Sequence, residues 1–299
     1  MSGERVGVIG TGSIGAAIAA NLVADGHHVS VYDTRPERLK PLVGIGARTA
    51  HGPGEVAARS AVTFLSLPAP AVVEEVAAAW LEQAAPGSVL VDLSTNAPAT
   101  VRALGARIAA KGCHLLEAPL TGGSPGAEAR TLVFLVGGED AVLGRVRPIL
   151  ERLGRTVFHV GGLGLGNVAK LVNSLMAFSA TCASLEGLAL ARRAGIDVRT
   201  MVDVINTSGT GNVFTTCMVE GINQRGRPPQ FTLSLAAKDA GLLLGEAREA
   251  GVPVPIAAQV AQTLVGAVAA GLGDHDFTDL VEAIERQTGV RLRIAPPRG

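Results

Sequence analysis

Arg5-Val6-Gly7-Val8-Ile9-Gly10-Thr11-Gly12-Ser13-Ile14-Gly15 is the stretch on which the reading of the fold turns. Its first five residues read as a buried strand, and from Ser13 to Ala24 apolar residues recur at helical spacing. The loop between them has the pattern Gly-x-Gly-x-x-Gly. Gly10 permits a tight turn, Gly12 lets a pyrophosphate approach the backbone, and Gly15 lets the helix pack on the strand. Thr11, Ser13 and Ile14 complete the loop, where the helix start offers N–H groups and partial positive charge to a phosphate. A second strand, His28–Tyr32, ends at Asp33, 18 residues after Gly15. A carboxylate there accepts hydrogen bonds from ribose hydroxyls. Together these features point to a dinucleotide site rather than to a turn with an N-capping Asp. Asp33 repels a 2′-phosphate and favours NAD, while Arg35 can receive that phosphate and leaves NADP open.

Outward from this unit, short apolar runs at 62–67, 89–93, 115–118, 131–136 and 156–160 read as strands. Helical patterns fill most of the intervals, for example 71–83 and 99–110. Alternation of this kind predicts an α/β doubly wound, mostly parallel sheet. Past Gly166 it stops. Residues 167–194 keep helical periodicity throughout, and further helices are expected at 198–206, 233–249, 255–270 and 277–286. The predicted organisation is a Rossmann-type domain over 1–162, a long interdomain helix over 163–195 and an all-α domain over 196–299. The tail Pro296-Pro297-Arg298-Gly299 is expected to fray.

Composition bounds the function. The chain has 299 residues, 47% hydrophobic and 17% charged, with 38 glycines, which excludes disordered and fibrous classes. Basic and acidic residues balance at 26 each, so the basic excess of a general nucleic-acid binder is missing. Cys113, Cys182 and Cys217 are too few and too scattered for a disulfide framework, in keeping with a reducing cytoplasmic compartment. No apolar segment with a cleavage site precedes the first strand, so no targeting peptide is expected. The apolar run 168–190 is interrupted by Lys170, Asn173 and Glu186, favouring a buried helix over a membrane span. The six histidines show no ligand spacing, His275 included, and no metal is expected. A mean hydropathy of +0.35 at zero net charge leaves a surface poor in repulsion, so a homodimer or homotetramer is expected.

Only four of the 26 basic residues are lysines: Lys40, Lys111, Lys170 and Lys238. Lys170 and Asn173 lie three apart on one face of the long helix, after the glycine-rich linker Gly162 to Gly166. Ala177, Thr181 and Ser184 continue the stripe with small or polar side chains, which predicts open space beside the two polar heads. Burial there would push the lysine pKa down, toward a range useful for proton transfer. The bland alternative is a lysine snorkelling at a helix start.

These residues, with others, resemble the β-hydroxyacid dehydrogenase family, which includes 3-hydroxyisobutyrate dehydrogenase and tartronate semialdehyde reductase. The resemblance runs over nearly the whole chain. Its motifs are Val8 to Gly15 with Asn21-Leu22, Asp92-Leu93-Ser94-Thr95-Asn96-Ala97-Pro98, Glu117-Ala118-Pro119-Leu120-Thr121-Gly122-Gly123, Gly164 to Asn173, and Phe231 to Asp239. It implies an oxidoreductase moving hydride between NAD(P) and a small β-hydroxy acid, similar to 3-hydroxyisobutyrate or to the glycerate/tartronate semialdehyde pair. Lys170 is then the general acid–base and Asn173 its substrate-orienting partner. Thr121, Gly122 and Gly123 cradle the substrate carboxylate. Ser94, Thr95, Leu67 and Pro68 lie beside the cofactor, and Lys238 closes over cofactor or substrate, the bland reading of Lys238 being a solvated helix face.

Three departures from the family's pattern bear on substrate choice: Thr121 for Ser, Glu117 for Asp, and Ser174 for the second of two asparagines. An imine reductase is the nearest enzymatic rival, and those proteins generally carry another residue where Lys170 stands. A non-catalytic, NAD-responsive binding protein would keep Asp33 and the glycine loop without needing Lys170, Asn173 or Thr121-Gly122-Gly123.

Overall fold

Side chains that alternate along the N-terminal strands build two apolar layers, one on each face of a single sheet. In the computed structural model, which describes residues 3–295, the strands are β1 Arg5–Ile9, β2 His28–Tyr32, β3 Arg48–Thr49, β4 Val62–Leu65 and β5 Val89–Asp92. They continue with β6 His114–Glu117, β7 Leu120–Thr121, β8 Leu132–Gly137 and β9 Gly154–Gly161. Val6, Val8, Val31, Phe64, Val91 and Leu116 pack with Ile18 and Leu22 on one face. Ile9, Leu65, Leu90 and Leu115 pack with Val56, Trp80 and Ile108 on the other. Strands buried on both faces need apolar residues at consecutive positions, which is why β5 reads as the run Val89-Leu90-Val91 and only Thr63 interrupts β4. Trp80 Nε1 donates to Thr63 Oγ1 at 3.0 Å, which satisfies both polar groups inside the layer.

The strand order is β3-β2-β1-β4-β5-β6-β8-β7, with β9 on the far side of β8. β3 through β6 are parallel; β8 runs antiparallel to β6 and β7, and β9 is parallel to β8. The doubly wound α/β class therefore holds, with a local antiparallel element at β6-Ala-Pro-β7.

Between Lys170 and Leu171 the chain divides into two compact units. The second is helical: most of the long helix Leu165–Arg193, then Val198–Thr207, Leu233–Glu249, Pro255–Ala267 and Leu280–Thr288. Its core gathers Leu185, Leu188, Leu264 and Leu280 around Phe178, Phe231 and Phe277, with the Phe178 and Phe277 rings 5.2 Å apart. Asp197 and Thr232 cap two of these helices through their side chains. Leu165–Arg193 and Pro255–Leu272 are both long and apolar enough to cross a bilayer, yet Phe178, Cys182, Leu185, Val260 and Leu264 are used in this core.

Some boundaries depart from the sequence reading. The helix expected over 255–270 gives way after Ala267 to a wider turn, Val268–Leu272, in which Gly271 has φ +87°. The segment expected over 277–286 begins as a single 3-10 turn, Phe277–Asp279, before the α-helix. Pro296–Gly299, expected to fray, lies outside the described residues.

Candidate active site

Parallel register sets Tyr32, Ile9, Leu65, Asp92 and Glu117 level at the carboxyl ends of five adjacent strands. The loops that carry Gly10, Asp33, Leu67-Pro68 and Ser94-Thr95 leave from that row. β1 has β2 on one side and β4 on the other, so the winding reverses here, and open sheets of this kind bind ligands in the crevice so formed.

Gly10 has φ +87°, which turns the chain off β1. A Cβ on Gly15 would lie 1.9 Å from the Gly10 carbonyl oxygen, so the helix sits on the turn as closely as a glycine allows. Beside Gly12, by contrast, the nearest atom to a built Cβ is Arg38 Nη1 at 3.8 Å. No side chain caps helix Ser13–Ala24, and its first turn holds no acid. An open glycine at an uncapped helix start fits a dinucleotide pyrophosphate.

Asp33 closes the loop. Its Oδ2 accepts from the Thr11 N–H at 2.7 Å and the Thr11 hydroxyl at 3.1 Å, and Oδ1 accepts from the Arg35 N–H at 2.9 Å. Arg38 Nη1 stands 3.5 Å from Oδ2. Burial disfavours the Asp33 charge, but these donors outweigh it and hold the carboxyl below its ordinary pKa. The sequence reading passed over Arg38. It enters because Pro36–Arg38 form one 3-10 turn that brings the chain back over the carboxylate.

A chain of hydrogen bonds joins the next loops to one another. The Leu67 N–H donates to Ser94 Oγ at 3.0 Å, and the Ser94 N–H donates to Asp92 Oδ1 at 2.9 Å. Asn96 Nδ2 donates to Asp92 Oδ2 at 2.6 Å, and the Asn96 N–H donates to Asn167 Oδ1 at 2.7 Å. Asn167 in turn donates to Glu117 Oε2 through its N–H at 3.0 Å and its Nδ2 at 2.5 Å. Glu117 Oε1 accepts from the N–H groups of Gly166, at 3.0 Å, and Gly164. Three segments singled out from sequence, around Leu67, around Ser94 and at the start of the long helix, are thus tied together by Asp92, Asn96, Asn167 and Glu117. Asn167, Asp92 and Asn96 stand in the sequence only as parts of motifs, and Glu117 as a departure from the family's pattern. Burial, reinforced by the Glu117 charge in the next strand, pushes Asp92 up to about 6 against the hydrogen bonds from Ser94 and Asn96. Burial likewise raises Glu117 despite its four donors.

Thr121 ends β7, paired to Val133 of β8, and the chain then turns through Gly122 at φ +118° and Gly123 at φ +60°. Only glycine takes two such conformations in succession at little cost. Ser124, next in line, has a buried hydroxyl with no hydrogen-bond partner among the described residues.

Lys170 is half-buried in the second turn of the long helix, and Asn173 is exposed one turn on. Further along the stripe, the small side chains of Thr181 and Ser184 are themselves packed. Thr181 is fully buried with its hydroxyl bonded to the Ala177 carbonyl at 2.9 Å, and Ser184 accepts from Asn212 Nδ2 at 3.0 Å. Within the helical unit Lys238 Nζ lies 2.8 Å from Asp239 Oδ1. His275 is less isolated than its sequence spacing implies: one ligand-type atom each of His275, Asp279 and Glu282 fall within 4.8 Å of one another. His275 Nδ1 lies 3.3 Å from Asp279 Oδ2, and Arg286 stands 3.5 Å from Glu282.

Comparison with known proteins agrees with this arrangement. The profile of the NAD-binding domain of 6-phosphogluconate dehydrogenase matches residues 5–161, and that of the NAD-binding domain of NADP-dependent 3-hydroxyisobutyrate dehydrogenase matches 164–284. The 2-(hydroxymethyl)glutarate dehydrogenase of Eubacterium barkeri is 33% identical over 290 residues, 96% of each chain. The 3-hydroxyisobutyrate dehydrogenase of Pseudomonas aeruginosa is 34% identical over 284 residues, 92% of this chain and 95% of its own. Among solved structures, the Mycobacterium tuberculosis 3-hydroxyisobutyrate dehydrogenase with L-serine superposes with a TM-score of 0.86 at 29% identity, covering 94% of this chain and 99% of its own. With Gly-x-Gly-x-x-Gly at an uncapped helix start and Asp33 beside it, the chain belongs to the β-hydroxyacid dehydrogenase family of NAD(P)-dependent enzymes that act on the hydroxyl group of hydroxyacids.

Proposed function

We propose that the chain reversibly oxidises the hydroxyl of a small β-hydroxy acid, with NAD as the preferred cofactor and Lys170 as the general acid–base. The observation that carries this reading is the placement of Lys170: the first turn of its helix holds Asn167, whose side chain is bonded to the loop after β5 that holds Ser94 and Thr95. Gly10, Thr11, Gly12, Ser13, Ile14 and Gly15 hold the pyrophosphate, Asp33 the adenosine ribose, and Leu67, Pro68 and Thr95 the nicotinamide side. When bound, the nicotinamide supplies a hydride acceptor or donor. Lys170 Nζ draws the proton from the substrate hydroxyl in oxidation and returns it to the carbonyl oxygen in reduction. Asn173 orients the substrate, Lys238 closes on the cofactor, and Ser94, Thr121, Gly122 and Gly123 bind the substrate carboxylate.

The substrate is a small β-hydroxy acid of the 3-hydroxyisobutyrate or glycerate/tartronate semialdehyde kind. Relatives named for 3-hydroxyisobutyrate and 2-(hydroxymethyl)glutarate, and a neighbour holding L-serine, support a β-hydroxy acid. The enzyme works in the cytoplasm as a homodimer or homotetramer. Lys170 weighs against the imine reductase reading.

The test is reduction of NAD and NADP by purified protein against 3-hydroxyisobutyrate, glycerate, serine, 4-hydroxybutyrate and 2-(hydroxymethyl)glutarate, with Lys170→Ala alongside. The expected result is turnover of at least one acid, falling about 10²- to 10⁴-fold in the variant with cofactor still bound. Activity that survives loss of Lys170 refutes the mechanism. Tight NAD binding with no turnover of any acid refutes the substrate class.

A further inference from the structure

Glu117 and Asn167 are both fully buried, and between them they immobilise the first turn of the helix that carries Lys170. Four hydrogen bonds converge on the Glu117 carboxylate, all from helix-start groups: the N–H of Gly164, Gly166 and Asn167, and Asn167 Nδ2. The surroundings are shaped to this side chain. A Cβ on Gly137 would lie 2.2 Å from Glu117 Oε1, and one on Gly166 would lie 3.0 Å from its Cδ. The remaining polar atom of the Asn167 side chain, Oδ1, accepts from the Asn96 N–H in the β5 loop. Every polar atom of the two side chains is therefore spent on joining the helix start to the ends of β5 and β6.

We propose that Glu117 and Asn167 are positioning residues for the reaction, an anionic clamp that sets where Lys170 stands relative to Ser94 and Thr95. An α-helix is stiff over one turn, and Lys170 is three residues, about 4.5 Å of rise, beyond Asn167. Holding the N–H groups of Gly164 to Asn167 therefore holds the Lys170 backbone. The anion at the positive end of the helix strengthens the hold. The inference rests on the reading of Lys170 as the acid–base, and its test separates the two.

The experiment compares full-length wild type with Asn167→Ala, Glu117→Gln and Lys170→Ala. In Glu117→Gln an NH₂ group would face two of the four donors, so the clamp is opened without loss of volume. Hydrogen exchange read by mass spectrometry is expected to rise at least about tenfold at the amides of 164–170 in both clamp variants, while peptides of β1 and β2 keep their protection. Turnover of the best acid of the panel, deuterated at the hydroxyl carbon, supplies the second readout. Here kcat falls by on the order of 10²-fold and the isotope effect on kcat rises, while the KM for cofactor stays within about twofold. Loss of folded fraction alone would lower the rate without moving the isotope effect.

Unchanged exchange at 164–170 overturns the clamp. Faster exchange there with wild-type kcat, or a rate loss with an unmoved isotope effect, overturns its role in positioning. Should Asn167→Ala not fold, Asn167→Ser is read by the same criteria. If Lys170→Ala keeps its activity, the acid–base reading falls, whereas the exchange measurement still decides the clamp.

Discussion

Asp92 is level with Glu117 in the next strand, and burial of its carboxylate, reinforced by the Glu117 charge, has a cost that unfolding can read. A folded pKa of about 6 against an ordinary 3.8 means that the native state binds more protons than the unfolded chain between those values. The contribution of Asp92 to stability therefore falls as pH rises from about 4 to about 6, by up to about 3 kcal/mol, and is level above that. Asp92→Asn removes this slope. Asn96 Oδ1 has no hydrogen-bond partner among the described residues, so an end-for-end turn of that amide offers it to the new NH₂ group. Urea unfolding at pH 4.5 and 6.5 is expected to show the variant gaining on wild type at the higher pH. Equal differences at both would disprove the account. At Asp33 the sign is opposite, since its donors favour the charged form. Asp33→Ala is expected to weaken NAD at least tenfold while NADP, relieved of repulsion, loses less; parallel losses in kcat/KM would contradict this. Asp33 was visible in the sequence as the acid that ends β2 after a Gly-x-Gly-x-x-Gly loop. The role of Asn167 was not, because its partners Asn96 and Glu117 are 71 and 50 residues away in sequence and only the sheet brings them together.

At the scale of elements, what could be read was whatever rests on local periodicity. β1, β2 and the helix Leu233–Glu249 were each placed to the residue, and the long helix to within two. The two-residue strands β3 and β7 left no trace, because so short a run shows no alternation and is defined by its partners β2 and β8. Thr181 and Ser184 are packed side chains, and the sequence does not say so, because small polar residues on a helix are as well suited to close packing as to bordering a cavity. Gly15 offers the sharpest test of an element contact. Gly15→Ala sets a methyl against the Gly10 carbonyl and must push the helix off the turn, costing about 1–3 kcal/mol. Calorimetric titration is expected to show NAD binding weakened beyond that stability loss, and undiminished affinity would contradict the close-packed loop.

For the molecule as a whole, composition foretold unspent apolar surface, and the structure shows where some of it lies. Leu190 is 73% exposed, Met176 67% and Ile256 67%, all in the helical unit. Self-association is the expected outcome. Light scattering coupled to size exclusion should find an oligomer that Leu190→Arg together with Ile256→Arg shifts toward the monomer; a monomeric wild type would refute this. Inside that unit the three clustered phenylalanines carry much of the packing, and Phe178→Ala is expected to cost about 3–5 kcal/mol in thermal or chemical unfolding.

The chain has one tryptophan, and it is Trp80, sealed within the sheet unit and bonded to Thr63. Indole emission from this protein is therefore a signal from one place. Native protein should emit blue-shifted light, and a red shift on heating or in urea marks the moment the layer around β4 and β5 admits water. The helical unit, without an indole of its own, is dark at that wavelength. Because the emission band overlaps the absorption of reduced nicotinamide, the same unlabelled residue offers a donor for energy transfer to NADH as it docks.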